Sequence, residues 1–104
     1  MITRIVCLEF EKEYVDAFLS YFDDIKLQIN SFSGCIGMKM MQDQNIPGLF
    51  FTYSIWKSIE DLENYRKSQL FRSTWNVIKP YFKAKPAAWT LKEQFDGFTS
   101  TQGI

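Results

Sequence analysis

Histidine is absent from the 104 residues of this chain, and its absence restricts the chemistry that the side chains can perform. Histidine is the commonest general base and metal ligand in proteins. A nucleophile of the Ser-His or Cys-His type is therefore excluded, whereas arginine, tyrosine and acidic side chains remain. The acidic pairs at 23–24 and 60–61 lack metal-site spacing with other ligands. The sequence thus predicts no metal site and no bound cofactor.

Arg4 interrupts an otherwise apolar face of the first predicted strand. Val6 and Leu8 share that face, because alternate side chains of a strand point the same way. A charge that interrupts an apolar strand face needs a reason, so we identify Arg4 as the candidate catalytic residue. Two alternatives stay open: an ion pair with an acidic residue across a dimer, and a side chain that reaches the sheet edge.

Aromatic residues make up 17% of the chain. In two parts of the chain, large aromatic side chains recur at helical spacing. Such rings share one face of a helix, where they would line an apolar slot for an aromatic ligand. The candidate substrate-binding residues are Phe18, Phe22, Tyr65, Phe71 and Trp75. The alternative is ordinary core packing. Arg66 and Arg72, on the same helical stretch, are typical of a solvated helix face.

The elements that would position these residues alternate between strand and helix periodicity. The predicted strands cover residues 2–10, 35–43, 49–56 and 87–92, and the predicted first helix covers residues 12–32. Ser58 and Ser68 would cap two further helical pieces, and Pro80 would end the second. The order β-α-β-β-α-β predicts an α+β, ferredoxin-like fold with an antiparallel sheet and helices on one face. We expect one domain over residues 1–93 and a C-terminal tail over residues 94–104.

Both faces of the predicted sheet carry large apolar side chains, although helices would cover only one. An exposed apolar patch of this size usually marks an interface, so we expect a two-fold homodimer with the sheets face to face. Trp56 and Trp89 are expected to anchor the sheet or the dimer. Phe95 and Phe98 in the tail are expected to pack against something, most simply the partner subunit.

Charge and composition exclude several classes of partner. The formal net charge is zero, so the basic excess of a nucleic-acid-binding protein is missing. The first segment lacks the pattern of a signal peptide, and no apolar run approaches the ~18 residues of a membrane span. We therefore expect a cytoplasmic protein that binds neither nucleic acid nor membrane. Cys7 and Cys35 fall in strands that are not neighbours, so no disulfide is expected.

With this topology, two strings of residues carry a resemblance to a known family. They are Phe32-Ser33-Gly34-Cys35 and Trp56-Lys57-Ser58, followed by Leu62, Tyr65, Ser68, Phe71 and Trp75. From about Ile2 to Lys92 the chain resembles the antibiotic biosynthesis monooxygenase family of the dimeric α+β barrel superfamily. The resemblance implies a small homodimer, a dimeric α/β barrel, with a pocket between the helices and the sheet of each subunit. It also implies that some relatives oxidise polycyclic phenols to quinones with oxygen and no cofactor, whereas a heme-degrading branch uses an Asn, a Trp and a His.

The three residues that the heme-degrading branch uses are not present at the corresponding positions of this chain. Its Trp falls at Tyr65, its His at Trp75, and its first-strand Asn near Arg4. Heme degradation is therefore not expected. The resemblance instead implies a cofactor-independent monooxygenase that acts on a small hydrophobic aromatic (phenolic or quinol) compound. The alternatives are a non-catalytic dimeric module that binds an apolar ligand, and a filled pocket with only an assembly role.

Overall fold

The computed structural model describes residues 1–98, and its elements follow the predicted order. Four strands are joined by one helix, a hairpin and a helix in two parts. The strands are β1 (Ile2–Glu9), β2 (Cys35–Gln42), β3 (Leu49–Trp56) and β4 (Ala87–Lys92), and the helices are α1 (Val15–Asn30), α2 (Ile59–Arg66) and α3 (Gln69–Ile78). The predicted α+β, ferredoxin-like fold is confirmed. No helix within residues 1–98 is long and apolar enough to cross a membrane.

The four strands form one antiparallel sheet in the order β2-β3-β1-β4, so β1 and β3 are central. In the register of the sheet, Arg4 lies opposite Ser54 on one side and Thr90 on the other. Cys7 and Cys35 are free thiols on strands that β3 separates, as the sequence predicted.

Local capping divides the helical layer. The backbone N–H of Asp61 donates to Ser58 Oγ at 3.1 Å, and that of Phe71 donates to Ser68 Oγ at 3.1 Å. Each hydroxyl thereby satisfies an N–H that has no partner within its helix. The first helix begins later than predicted, because residues 12–14 form a 3₁₀ turn before α1. The second cap lets the chain change direction between α2 and α3, so both helices lie over the same sheet.

Phe10 is the centre of the aromatic core between helices and sheet. Its ring is 1% exposed and stacks on Phe18, with a centroid separation of 4.1 Å, and on Phe82, at 5.0 Å. Leu8 and Phe50 pack in the same cluster. Burial of such large side chains holds the helical layer on the sheet, since short helices are marginal in water without it.

The two faces of the sheet differ in how well one copy of the chain covers them. Trp56 lies on the helix side, where it is 1% exposed and its Nε1–H donates to Ser54 Oγ at 2.9 Å. Trp89 and Leu91 lie on the opposite face, where they are 47% and 43% exposed. The two tryptophans, predicted together, therefore have different positions: only Trp89 lies where a partner sheet would pack.

The two tail rings are largely exposed among the described residues. Phe95 and Phe98 are each 87% exposed, so their packing against a partner subunit stays a prediction. The remainder of the predicted tail, residues 99–104, lies outside the described residues.

Phe10→Ala should lower the free energy of unfolding by about 3–5 kcal/mol, because it removes a ring at the centre of the core and leaves a cavity. Leu27→Ala, at an exposed position on α1, should change it by less than about 0.5 kcal/mol. Urea denaturation followed by circular dichroism measures both. Equal losses in the two variants would contradict the assigned core.

Candidate functional site

A cavity of about 180 Å³ lies between the helical layer and the sheet and is partly open to solvent. Every helix and the central strands contribute to its wall. The lining residues include Arg4, Val6, Leu8, Phe18, Phe22, Thr52, Ser54, Trp56, Tyr65, Arg66, Phe71, Thr74 and Trp75. The alternative of a filled pocket requires no cavity, so the structure contradicts it.

All five rings predicted from helical spacing line this cavity. Tyr65 at the end of α2 meets Phe71 of α3 with a centroid separation of 5.3 Å, and Phe71 meets Trp75 at 5.8 Å. Phe18 and Phe22 of α1 form a second pair at 6.0 Å. Helical spacing thus identified side chains that the fold brings together, although it could not show that they enclose free space.

The two groups of rings are joined through the core. Trp75 contacts Phe82 at 5.6 Å, and Phe82 stacks on Phe10, which in turn stacks on Phe18. An unbroken series of ring contacts therefore runs from α2 to α1 around the cavity. Such contacts add to the burial energy of each ring and give the wall a defined shape.

Arg4 points to the helix side of central strand β1 and lines the cavity. Its Nη1–H donates to Thr90 Oγ1 at 2.7 Å, on the neighbouring strand. Within residues 1–98 the ion pairs are Lys26–Asp23 and Arg66–Glu63, so no described carboxylate pairs with Arg4. Because β4 is an edge strand, the bond to Thr90 directs the Arg4 side chain toward the sheet edge, as one of the two alternatives expected. The other alternative, an ion pair across a dimer, stays a prediction.

The electrostatics at Arg4 reflect its enclosure. Partial burial lowers the pKa of the guanidinium, and the positive charge of Arg66 lowers it further, whereas Glu63 raises it. Desolvation and like charge both disfavour the cation. Arginine nevertheless stays protonated in proteins, so Arg4 is a permanent charge at the cavity wall.

Arg66 and Arg72 are both exposed, as the sequence predicted. Arg66 also lines the cavity from the last turn of α2, which the sequence did not predict, and its Nη1–H donates to Glu63 Oε1 at 3.0 Å. The Nη1–H of Arg72 donates to the Lys67 carbonyl at 2.7 Å, and Arg72 is not part of the wall. The available signal was the four-residue spacing from buried Leu62, which places Arg66 on the same helix face.

The hydroxyl groups of the wall were also missed, and those of Ser54 and Thr74 already bind within the protein. Ser54 Oγ accepts from Trp56 and donates to the Arg4 carbonyl over a long 3.5 Å contact. Thr74 Oγ1 donates to the Leu70 carbonyl at 2.8 Å. Alternation along β3 from Trp56 would have placed Ser54 and Thr52 on this face. The guanidinium groups and the hydroxyls of Thr52 and Tyr65 are therefore the donors of the described wall that remain for a ligand.

The cavity wall contains donors and cations but no acidic side chain. Burial raises the pKa of Tyr65 to about 12, so its phenol is neutral at physiological pH and serves as a donor, not as a base. Burial likewise raises the pKa of the Cys35 thiol. A ligand that must lose a proton would have to give it to water through the open side.

The described residues do not fit a metal ion or a heme group. No group of three His, Cys, Asp or Glu residues within residues 1–98 could hold a metal ion. A porphyrin has four pyrrole rings and exceeds a 180 Å³ cavity, and the chain has no histidine to ligate its iron. The residues present therefore do not fit heme.

Comparison with known proteins gives one family match and many matching folds. The family model described as antibiotic biosynthesis monooxygenase matches residues 1–76. A solved antibiotic biosynthesis monooxygenase has a TM-score of 0.85 and 16% identity, over 90% of this chain and 99% of its own. A protein from Methanosarcina mazei Go1 has a TM-score of 0.83 and 16% identity, over 90% and 94%. No curated protein matches.

Tyr65→Phe should change how stability depends on pH. Tyr65 has a raised pKa only in the folded state, so it favours folding below pH ~10, and this contribution is lost as the pH rises toward about 12. Between pH 9 and 11 the wild type should lose about 1.4 kcal/mol relative to Tyr65→Phe. Urea unfolding at each pH measures the difference. A constant difference across this range would contradict the burial of the phenol.

Proposed function

This chain belongs to the antibiotic biosynthesis monooxygenase family, and on that premise we propose that it oxidises a small hydrophobic phenol or quinol with molecular oxygen and no bound cofactor. The reaction takes place in the cavity between helices and sheet. One observation carries the proposal: the Arg4 guanidinium has no carboxylate partner within residues 1–98 and lines a cavity walled by aromatic rings.

The chemistry needs only a phenolate and oxygen. In the overall reaction a phenol with a hydrogen on its para carbon and one O₂ give a quinone and one water. One oxygen atom becomes the new carbonyl, and the other leaves as water with the phenol proton and the displaced ring hydrogen. The phenol loses four electrons and O₂ gains four, so no further reductant is required.

Arg4 acts by stabilising the phenolate. A fixed cation at the oxygen lowers the pKa of the phenol, and the electron-rich anion is the form that can reduce oxygen. The bond to Thr90 holds the guanidinium on β1. Because no acidic side chain lines the wall, the proton is transferred to water at the open side of the cavity.

The five rings hold the substrate and exclude water. Phe18 and Phe22 contact it from α1, and Tyr65, Phe71 and Trp75 contact it from α2 and α3. An apolar slot with few polar groups is typical of small-molecule sites, and those polar groups fix the orientation of the ligand. The neutral Tyr65 hydroxyl donates a hydrogen bond to the substrate oxygen.

The absence of an acidic side chain from the cavity wall favours a second candidate, a non-catalytic module that binds an apolar aromatic ligand. Such a module needs the enclosure and the orienting donor but no proton acceptor. It would release its ligand chemically unchanged. The presence or absence of a quinone product therefore separates the two candidates.

The proposal includes a cytoplasmic homodimer in which the uncovered sheet faces pack together. Trp89, Leu91 and Met41 are exposed large apolar residues of the sheet. Burial of this surface against a second copy removes it from water, and two-fold symmetry lets one patch cover itself. The helical layer of each subunit, with its cavity, then faces outward.

Arg4→Gln should reduce kcat/KM for quinone formation at least tenfold, since a hydrogen bond to a charged group contributes roughly 1.5–3 kcal/mol. Oxygen uptake and quinone absorbance with 2,6-dimethylphenol, a single-ring phenol with a free para position, measure the rate. Arg72→Gln is the matched control and should retain it, because Arg72 lies outside the cavity.

Three outcomes of this experiment are distinct. Loss in Arg4→Gln alone supports the proposal. Equal rates in wild type and Arg4→Gln would exclude Arg4 from the reaction. Retention of the phenol without turnover in the wild type would exclude the oxygenase and favour the binding module.

Trp89→Lys should convert the dimer to a monomer, because it places a charge in the centre of the proposed interface. Sedimentation equilibrium at micromolar concentration should give about twice the 12.3 kDa chain mass for the wild type and the single chain mass for the variant. Leu27→Lys, exposed on α1, is the control and should remain dimeric. A monomeric wild type would contradict the proposed interface.

A further inference from the structure

We propose that Arg4 and Arg66 together form an anion subsite at one end of the cavity, and that the ligand is a single-ring aromatic monoanion whose ionised group lies between the two guanidiniums. This inference rests on the proposed function in one respect, that the cavity is the ligand site. It adds a second specificity-determining residue and the charge and size of the ligand. A phenolate or a carboxylate would supply the same negative group.

The charges that line the cavity are unbalanced. Arg4 comes from β1 and Arg66 from the last turn of α2, and both are part of the same wall. Glu63 pairs with Arg66 at its exposed side, where both side chains are about two-fifths accessible. Two guanidiniums and one carboxylate leave a formal charge of +1. A bound monoanion makes the site neutral.

The two guanidiniums interact with one another in the unliganded protein. The charge of Arg66 lowers the pKa of Arg4, in addition to the effect of burial. Repulsion of this kind is stronger beside an apolar wall than in water, because the local dielectric constant is lower. An anion bound between the two guanidiniums attracts both of them, and these attractions offset the repulsion between Arg4 and Arg66. Tyr65 is the other titratable residue of the wall, and it is neutral.

The cavity is polar at one end and apolar at the other. Arg4 and Leu8 line it from the same strand, and four residues of strand span roughly 13 Å. Around Leu8 the wall is formed by buried Phe18 and Ile78. A ligand that fits both ends therefore has an ionised group near Arg4 and an apolar ring toward Leu8.

The volume limits the size of that ring. A cavity of about 180 Å³ slightly exceeds the ~150 Å³ engineered cavity that binds benzene. One substituted ring fits this space. The resemblance of the sequence implied polycyclic phenols, whereas the enclosed volume favours a mononuclear compound.

The charge preference can be measured with 4-nitrophenol, a chromophore that ionises near neutral pH. If the anion binds at least tenfold more tightly than the neutral phenol, the pKa of the bound probe falls by at least about one unit. Absorbance titrations of the probe with saturating wild-type protein, under nitrogen, give this pKa directly. Benzoate should displace the probe, and benzyl alcohol should do so at least tenfold less effectively.

Variants assign the effect to the two residues. Arg4→Gln and Arg66→Gln should each reduce the pKa shift of the bound probe severalfold, and Arg72→Gln should leave it unchanged. Arg66 lies on the helix surface, so Arg66→Gln keeps the test valid if Arg4→Gln fails to fold, which circular dichroism reveals.

The outcomes separate this inference from the proposed function. A lowered probe pKa that depends on both residues supports the subsite, whether or not a phenol is turned over. Binding without a pKa shift, or equal displacement by benzoate and benzyl alcohol, would overturn the subsite and leave the cavity as a ligand site. Failure of all probes to bind would overturn both proposals. A shift that Arg72→Gln also abolishes would reflect the overall charge and would overturn the subsite.

Discussion

The guanidinium of Arg4 is a permanent charge on the helix side of a central strand, where it lines a cavity with several aromatic rings and stays partly exposed to water. Its bond to Thr90 satisfies one donor and leaves its charge without a partner within residues 1–98. Placing a charge in such surroundings is unfavourable unless an opposite charge or water reaches it. The cavity beside Arg4 is partly open, so water or an anion can reach this charge.

The division of the second helical region sets the shape of that cavity. Ser58 caps α2 and Ser68 caps α3, so the chain changes direction within a few residues. Tyr65 and Arg66 then approach the sheet from the end of one helix, and Trp75 approaches from the next. A single straight helix could not present both groups to the same point of the sheet. The charged and aromatic parts of the wall are thus products of one turn in the backbone.

Much of this arrangement could be read from the sequence because it depends on period alone. Alternation along β1 placed Arg4 on the face of Val6 and Leu8, and helical spacing placed Phe18 and Phe22 together. Other features depend on three-dimensional packing, which the spacing of residues along the chain does not reveal. Both faces of the strands are apolar, so alternation did not show that helices cover Trp56 and leave Trp89 exposed. The position of exposed Arg66 at the cavity wall depends on how α2 is rotated about its axis. The cavity volume depends on how completely the bulky rings fill the space between helices and sheet.

The position of a bound aromatic anion tests the account most directly. A crystal structure with 4-bromobenzoate would locate the bromine by its anomalous scattering and the carboxylate by its density. The account predicts the carboxylate within hydrogen-bonding distance of Arg4 and Arg66 and the bromine toward Leu8 and Phe18. A reversed orientation, or ligand bound only on the open face of the sheet beside Trp89, would contradict it.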